Sequence, residues 1–213
     1  MPYLPEMKVD FANGLHMHHS LWDVEKDENV MAGEGDLDLS EVGRHWLAGV
    51  VNHVNNMTAI ACPTINSYKR LHLWKNYLNI NTYGVHSKTC PIRVINGAGK
   101  SARIEYRQPD ASSNPYLLHA ALIASGIDGI RKKEEPNPLL RNDNFLCDES
   151  TPEHCTVMPR NLQYALQELK KDVTLIESIG EEIMSGFFRV KEMEMAENDK
   201  EFTKYEIDLL DVY

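Results

Sequence analysis

Two short stretches constrain this chain more than any others: Gly14–Leu21, which reads GLHMHHSL, and Arg103–Arg107, which reads RIEYR. As strands, each would send successive side chains to opposite faces, so His16 and His18 share one face while Arg103, Glu105 and Arg107 share another. Two imidazoles and a carboxylate can approach a divalent cation, and the flanking guanidiniums can take phosphate or carboxylate oxygens bidentately. Taken singly, each pattern is ordinary. A lone His-x-His is commonly strand chemistry, and Arg-x-Glu-x-Arg can be a salt-bridged sheet face. Two cations around one carboxylate are nevertheless costly to desolvate as mere scaffolding, which favours a ligand-facing role if the strand is interior.

The order of further motifs narrows the reading. NSYKRL at 66–71 lies between the two strands, the second strand continues as RIEYRQPD, and NPYL at 114–117 follows. This series resembles the C-terminal catalytic part of the glutamine synthetase family, over about Pro5 to Tyr213, and MPRNL at 158–162 with the ending LDVY at 210–213 is similar to that family's terminal helices. The resemblance implies an α+β fold, an antiparallel sheet packed with helices, spanning 1–213. It also implies that the family's N-terminal β-grasp domain and first catalytic strands, which carry most of the metal-binding glutamates, are absent from the chain.

The resemblance further implies roles for matching positions. His16 and Glu105 fall where the family binds one of two Mg2+ or Mn2+ ions. His18, Ser20, Lys88, Arg93, Lys100 and Arg103 fall at the ATP site, with Arg93 and Arg103 placed to act on the transferring phosphoryl group. Gly14, Arg70 and Arg107 fall where the amino-acid substrate is held. The implied reaction is ATP-dependent ligation of glutamate to ammonia or a small amine through an acyl phosphate, with stacked-ring homo-oligomers as the family's assembly. A ring of Arg and Lys suits that chemistry because charge spreads over the phosphoryl oxygens in the transition state.

Departures from the family pattern are visible as well. Phe11–Gly14 replaces the usual Asn-Gly-Ser-Gly entry, Lys88 stands where an arginine is usual, and Asn76 falls where the family has its ammonium-binding glutamate. An amide neither carries the charge that holds ammonium nor acts as a base. Two functional classes follow: a ligase, catalytic in full-length form but inactive as this piece alone, or a non-catalytic structural or regulatory relative.

Composition excludes more than it assigns. A net charge of −10 argues against nucleic acid as a partner, since phosphate-backbone binding needs a basic surface. No run approaches ~20 apolar residues and no signal leader opens the chain, so no membrane association and a cytoplasmic location are expected. Cys62, Cys90, Cys147 and Cys155 lack CxxC spacing and read as reduced structural thiols.

Periodicity predicts the elements. Asp23–Leu39 reads as an exposed acidic loop. Ser40 reads as the N-cap of a helix with a Val42, Trp46, Leu47, Val50, Val51, Val54 stripe. Asn79–Arg107 reads as strands broken at Gly97–Gly99, and Pro115 opens a helix to about Arg131 with Ala120, Ala121, Ala124 and Ile127 for close packing. Asn161–Lys171 and a segment from Glu181 bearing Ile183, Phe187 and Val190 read as helices.

Overall fold

The computed structural model describes residues 13–34, 37–73, 79–97, 99–138 and 153–210. The chain divides into two compact units, Met1–Ile179 and Gly180–Tyr213.

In the first unit, β1 (Met17–His19), β6 (Arg103–Tyr106), β5 (Ile92–Ile95) and β4 (Tyr83–Val85) form a sheet in the order β1-β6-β5-β4. The β1–β6 and β5–β6 pairs are antiparallel, as expected, whereas β4 and β5 run parallel. Alternation gives the sheet two unlike faces. Met17, Tyr106 and Ile92 form one cross-strand row and His19, Ile104 and Val94 the next. Of these, Ile92, Val94, Ile104 and Tyr106 are fully buried. Between those rows, His18, Glu105 and Arg93 are in register and point the other way.

Asp23–Leu39 departs from the expected open loop. It contains a small hairpin of β2 (Trp22–Asp23) and β3 (Glu28–Asn29), and its sparse apolar residues Met31 and Leu39 are almost completely buried. The acidic composition hides these two anchors, because they sit at no regular spacing.

Helix α1 (Glu41–Ala61) begins as the sequence predicts, with Ser40 Oγ accepting from the Gly43 N–H at 3.0 Å. Most of its stripe is core: Trp46, Leu47, Val50, Val51 and Val54 are buried, while Val42 in the first turn is only half-buried. The NSYKRL motif is helical, within α2 (Ile65–Leu73). Helix α3 (Pro115–Lys132) is capped by Asn114, which accepts from the Tyr116 N–H at 2.9 Å, and ends with Lys133 left-handed at φ 52°. The close packing of α1 on α3 rests on glycines more than on the alanines. A Cβ on Gly126 would stand 2.3 Å from Trp46 Cδ2, and one on Gly129 would stand 2.2 Å from the His45 carbonyl oxygen. Helix α4 (Leu162–Lys171) follows its Asn161 cap and is succeeded by a further short helix, α5 (Val173–Ile179), which periodicity did not reveal.

A buried histidine bridges these helices inside the core. His53 of α1 approaches Asp172, between α4 and α5, at 2.5 Å through Nδ1, and Asp128 of α3 at 3.0 Å through Nε2. Burial alone would lower its pKa, but the hydrogen bonds to Asp172 and Asp128 outweigh that, and the net shift is upward. Asp172 also accepts from Asn56 Nδ2 at 2.6 Å and caps α5 through the Leu175 N–H at 3.0 Å, and Asp128 pairs with Lys132 at 2.6 Å.

The second unit contains α6 (Glu181–Asn198) and α7 (Lys204–Leu210). The stripe expected in α6 is not core: Ile183 and Val190 are more than half exposed, and Met184 is the buried residue. Among the described residues no helix is long and apolar enough to cross a membrane. Cys62, Cys90 and Cys155 are buried free thiols, and Cys147 lies outside the described residues.

Candidate functional site

The polar face of the sheet gathers most of the expected residues around Glu105. This carboxylate is 2 % exposed, which makes its neighbours decisive. Its Oε2 accepts from Arg93 at 3.1 Å and its Oε1 from Arg107 at 2.5 Å. His16 Nδ1 stands 3.0 Å and His18 Nε2 3.8 Å from the same Oε1. Strand geometry explains the convergence, since His18 and Arg93 are the cross-strand partners of Glu105 on either side, and Arg107 is two residues along the same face.

Electrostatics keep Glu105 ionised. Burial pushes its pKa up, but the charge of Arg107 and the hydrogen bonds from Arg93 and Arg107 more than reverse this, and the net shift is downward. His16 shifts downward too, first through burial and then through the charge of Arg107, with Glu105 opposing. The 3.0 Å contact is therefore best described as a hydrogen bond from a neutral imidazole to a carboxylate. Arg107 Nη1 lies 3.3 Å from the same Nδ1, and one nitrogen cannot both donate to Glu105 and accept from Arg107.

Arg70 reaches this centre from α2. It is buried, its Nη2 donates to the Gln108 carbonyl oxygen, and its charge acts on His16. Gly14 lies between them. A Cβ there would stand 3.0 Å from His16 Nε2 and 3.5 Å from Arg70 Nη1, so a larger residue would press on both. Gly14 also bridges Asp110, which extends the β1–β6 pairing past the strands' formal ends.

The remaining cations are held separately. Arg103 Nε donates to His18 Nδ1 at 3.3 Å and its Nη1 to the Ser101 carbonyl oxygen at 2.9 Å. Lys100, in the 3-10 turn Gly99–Ser101, pairs with Asp27 at 3.7 Å and stands 5.6 Å from the centroid of the Trp22 ring. Arg93 is bound to Glu105, whereas Arg103 meets His18 and Lys100 meets Asp27. Ser20 Oγ accepts from Trp22 Nε1 at 2.9 Å, and Lys88 is exposed in the β4–β5 connection, outside this network. Asn76 and Phe11 lie outside the described residues.

Sequence reasoning overlooked the layer behind the arginines. Gln108 Oε1 accepts from Tyr106 Oη at 2.7 Å, and its Nε2 donates to Thr58 Oγ1 at 3.0 Å. Its backbone carbonyl, thereby fixed, is the one that receives Arg70. Asp110 accepts from the Ser112 N–H at 2.8 Å. Both residues lie in the RQPD continuation of the Arg–Glu–Arg strand, and that adjacency was the available signal.

The family model for the glutamine synthetase catalytic domain matches residues 4–210. Glutamine synthetase of Thermococcus kodakarensis is 38% identical over 199 residues, covering 92% of this chain and 44% of the relative. That of Pyrococcus furiosus is 34% identical over 221 residues, covering 97% and 49%. Among solved structures, GmaS without ligand gives a TM-score of 0.81 at 33% identity over 92% of this chain and 44% of that one. A GmaS/ADP complex also gives 0.81, at 32% identity over 92% and 45%. The chain spans a little under half the length of these relatives. With its matched span and these similarities, the chain belongs to the glutamine synthetase family, within the part that the catalytic-domain model describes.

Proposed function

We propose that the chain forms the C-terminal portion of the catalytic domain of a glutamate–amine ligase that uses ATP. The observation that carries this reading is the cationic surround of one buried carboxylate on one sheet face: Arg93 and Arg107 on Glu105, with Arg103 on His18 beside it. In this reading Arg70 and Arg107 hold carboxylates of the amino-acid substrate, and Gly14 keeps the approach open. His18 and Ser20 line the nucleotide side with Lys88, while Arg93, Lys100 and Arg103 neutralise phosphate. The γ-phosphoryl group passes from ATP to the side-chain carboxylate of glutamate, giving ADP and an acyl phosphate. The amine nitrogen then attacks the acyl carbon, inorganic phosphate leaves, and the nitrogen loses a proton. Fixed cations lower the barrier by meeting charge as it develops on the phosphoryl oxygens.

Family membership implies a divalent metal, and His16 with Glu105 is the candidate pair on this chain. These residues do not make a complete site for such an ion. Hard cations take about six oxygen-dominated ligands, both Glu105 oxygens already accept guanidinium hydrogens, and among the described residues no group of three His, Cys, Asp or Glu side chains could hold a metal. The same saturation of Glu105 favours a second reading, a non-catalytic relative in which Arg93–Glu105–Arg107 is purely structural.

Calorimetric titration of the chain with ADP and Mg2+, and mass spectrometry for a γ-glutamyl amide after incubation with glutamate, ATP, Mg2+ and ammonia or methylamine, separate the two. The ligase reading expects ADP binding that weakens at least about tenfold in Arg103→Ala with unchanged circular dichroism, as loss of one charge-assisted contact implies. Absence of ADP binding, or equal affinity in the variant, overturns it in favour of the non-catalytic relative.

A further inference from the structure

Asn29, the last residue of β3, has no part in the site described above, yet it grips the turn beside it. Its Nδ2 donates to the Ala102 carbonyl oxygen at 2.7 Å and is 3.4 Å from that of Lys100. Its Oδ1 accepts from the Met31 N–H at 2.9 Å, which ties the same side chain to its own hairpin. One amide thus bonds the backbone on either side of Ser101.

That turn is a single 3-10 segment, Gly99–Ser101. Gly99 is left-handed at φ 61° with nothing within 4 Å of where a Cβ would be, and Lys100 and Ser101 are exposed. Its conformation matters directly, because the Ser101 carbonyl oxygen receives Arg103 Nη1, whose Nε in turn meets His18. The hairpin also holds Lys100 by charge, through Asp27 and the Trp22 ring. Lys100 and Asp27 are 75% and 85% exposed, so that pairing is weak, and a phosphate dianion would displace it. The Asn29 bonds are to backbone and would persist.

We propose that Asn29 is a positioning residue: it fixes the Gly99–Ala102 backbone so that Lys100 and Arg103 are held ready for the phosphates of a nucleotide, with Asp27 and Trp22 competing for the Lys100 ammonium. This rests on the nucleotide reading of Lys100 and Arg103 given above. The test uses the whole chain and two variants, Asn29→Ala and Asn29→Asp, the second keeping size and the Oδ1 acceptor while losing both donated bonds.

Hydrogen exchange of the amides of residues 99–103, measured without ligand, should accelerate at least about tenfold in both variants, as expected when a local anchor is lost. ADP–Mg2+ affinity by calorimetry should fall about five- to twentyfold, and that loss should shrink in a Lys100→Ala background, because coupled residues are non-additive. Unchanged exchange overturns the anchoring role. Faster exchange with unchanged ADP affinity overturns the link to phosphate. If the wild-type chain binds no ADP, the nucleotide reading fails instead, and the exchange data still report on the anchor. A uniform drop in melting temperature with exchange accelerated throughout the sheet would mark Asn29 as generally structural and also refute the proposal.

Discussion

Replacing His53 tests whether a buried cation joins three helices of this fold. His53→Gln keeps a polar side chain of similar bulk but removes the positive charge facing Asp172 and Asp128. Breaking a buried ion pair by deleting one partner costs roughly 3–5 kcal/mol when the other is left uncompensated. Here compensation is partial, since Asp128 keeps Lys132 and Asp172 keeps Asn56 and the Leu175 N–H. A loss of about 2–3 kcal/mol is therefore expected, lowering the melting temperature by roughly 5–10 °C in a chain of this size.

The pH dependence sharpens the test. His53 has a folded pKa raised above 6.5, so its contribution is fully present below pH 6.5 and is lost as pH rises through the folded value. Asp172 and Asp128 have folded pKa values lowered from 3.8, so their contributions are present above pH 3.8 and fade as pH falls through the folded values. Urea denaturation of wild type and variant should thus show the largest difference between about pH 5 and 6.5 and a shrinking one as pH rises through the folded value of His53. A difference that does not shrink at all on the alkaline side of pH 6.5 would refute the buried imidazolium.

Two further outcomes follow from packing. Gly126→Ala, which places a Cβ 2.3 Å from the Trp46 ring, should destabilise the chain by about 1–3 kcal/mol and perturb near-ultraviolet circular dichroism, whereas a surface Gly186→Ala, with open space around it, should not; equal melting temperatures would contradict the contact. Cys62 should resist iodoacetamide in the native chain at pH 8 and react only on unfolding, because burial pushes its thiol up to about 12; mass spectrometry of the labelled peptide checks this.

The sequence made some elements legible for reasons the structure makes plain. Ser40 announces a helix start because a cap is a local bond between a side chain and a nearby N–H, written within four residues, and Pro115 does so because its ring presets the first helical φ. His16 with His18, and Arg103 with Glu105 and Arg107, could each be assigned to a common face because strand alternation is strict, while the row His18–Glu105–Arg93 waited on the register between strands. What escaped was set by distant partners. Met31 and Leu39 are core because helix α1 and its neighbours cover them, and nothing in their own spacing says so. Asn29 resembles any hairpin asparagine until the turn at Gly99–Ser101 is laid against it. Lys100 and Arg93 share a charge but not a location, since one meets Asp27 and the other Glu105, and composition cannot distinguish those fates.

The two-faced sheet carries a consequence for how this chain tolerates change. Tyr106 and Ile104 fill the interior while Arg103, Glu105 and Arg107 face the site, and all of them follow one another along β6 and the residue after it. Loss of Arg93 or Arg107 leaves Glu105 buried with one partner fewer, whereas Arg103, the less buried residue on the site side, can vary without disturbing the packed side. Insertion or deletion of one residue in that strand has the opposite character. It turns Glu105 and its arginines into the apolar layer and Tyr106 into water in one step. Folding itself therefore acts as a proofreader: chains with a shifted strand fail to fold before a misaligned site could ever be presented to a substrate.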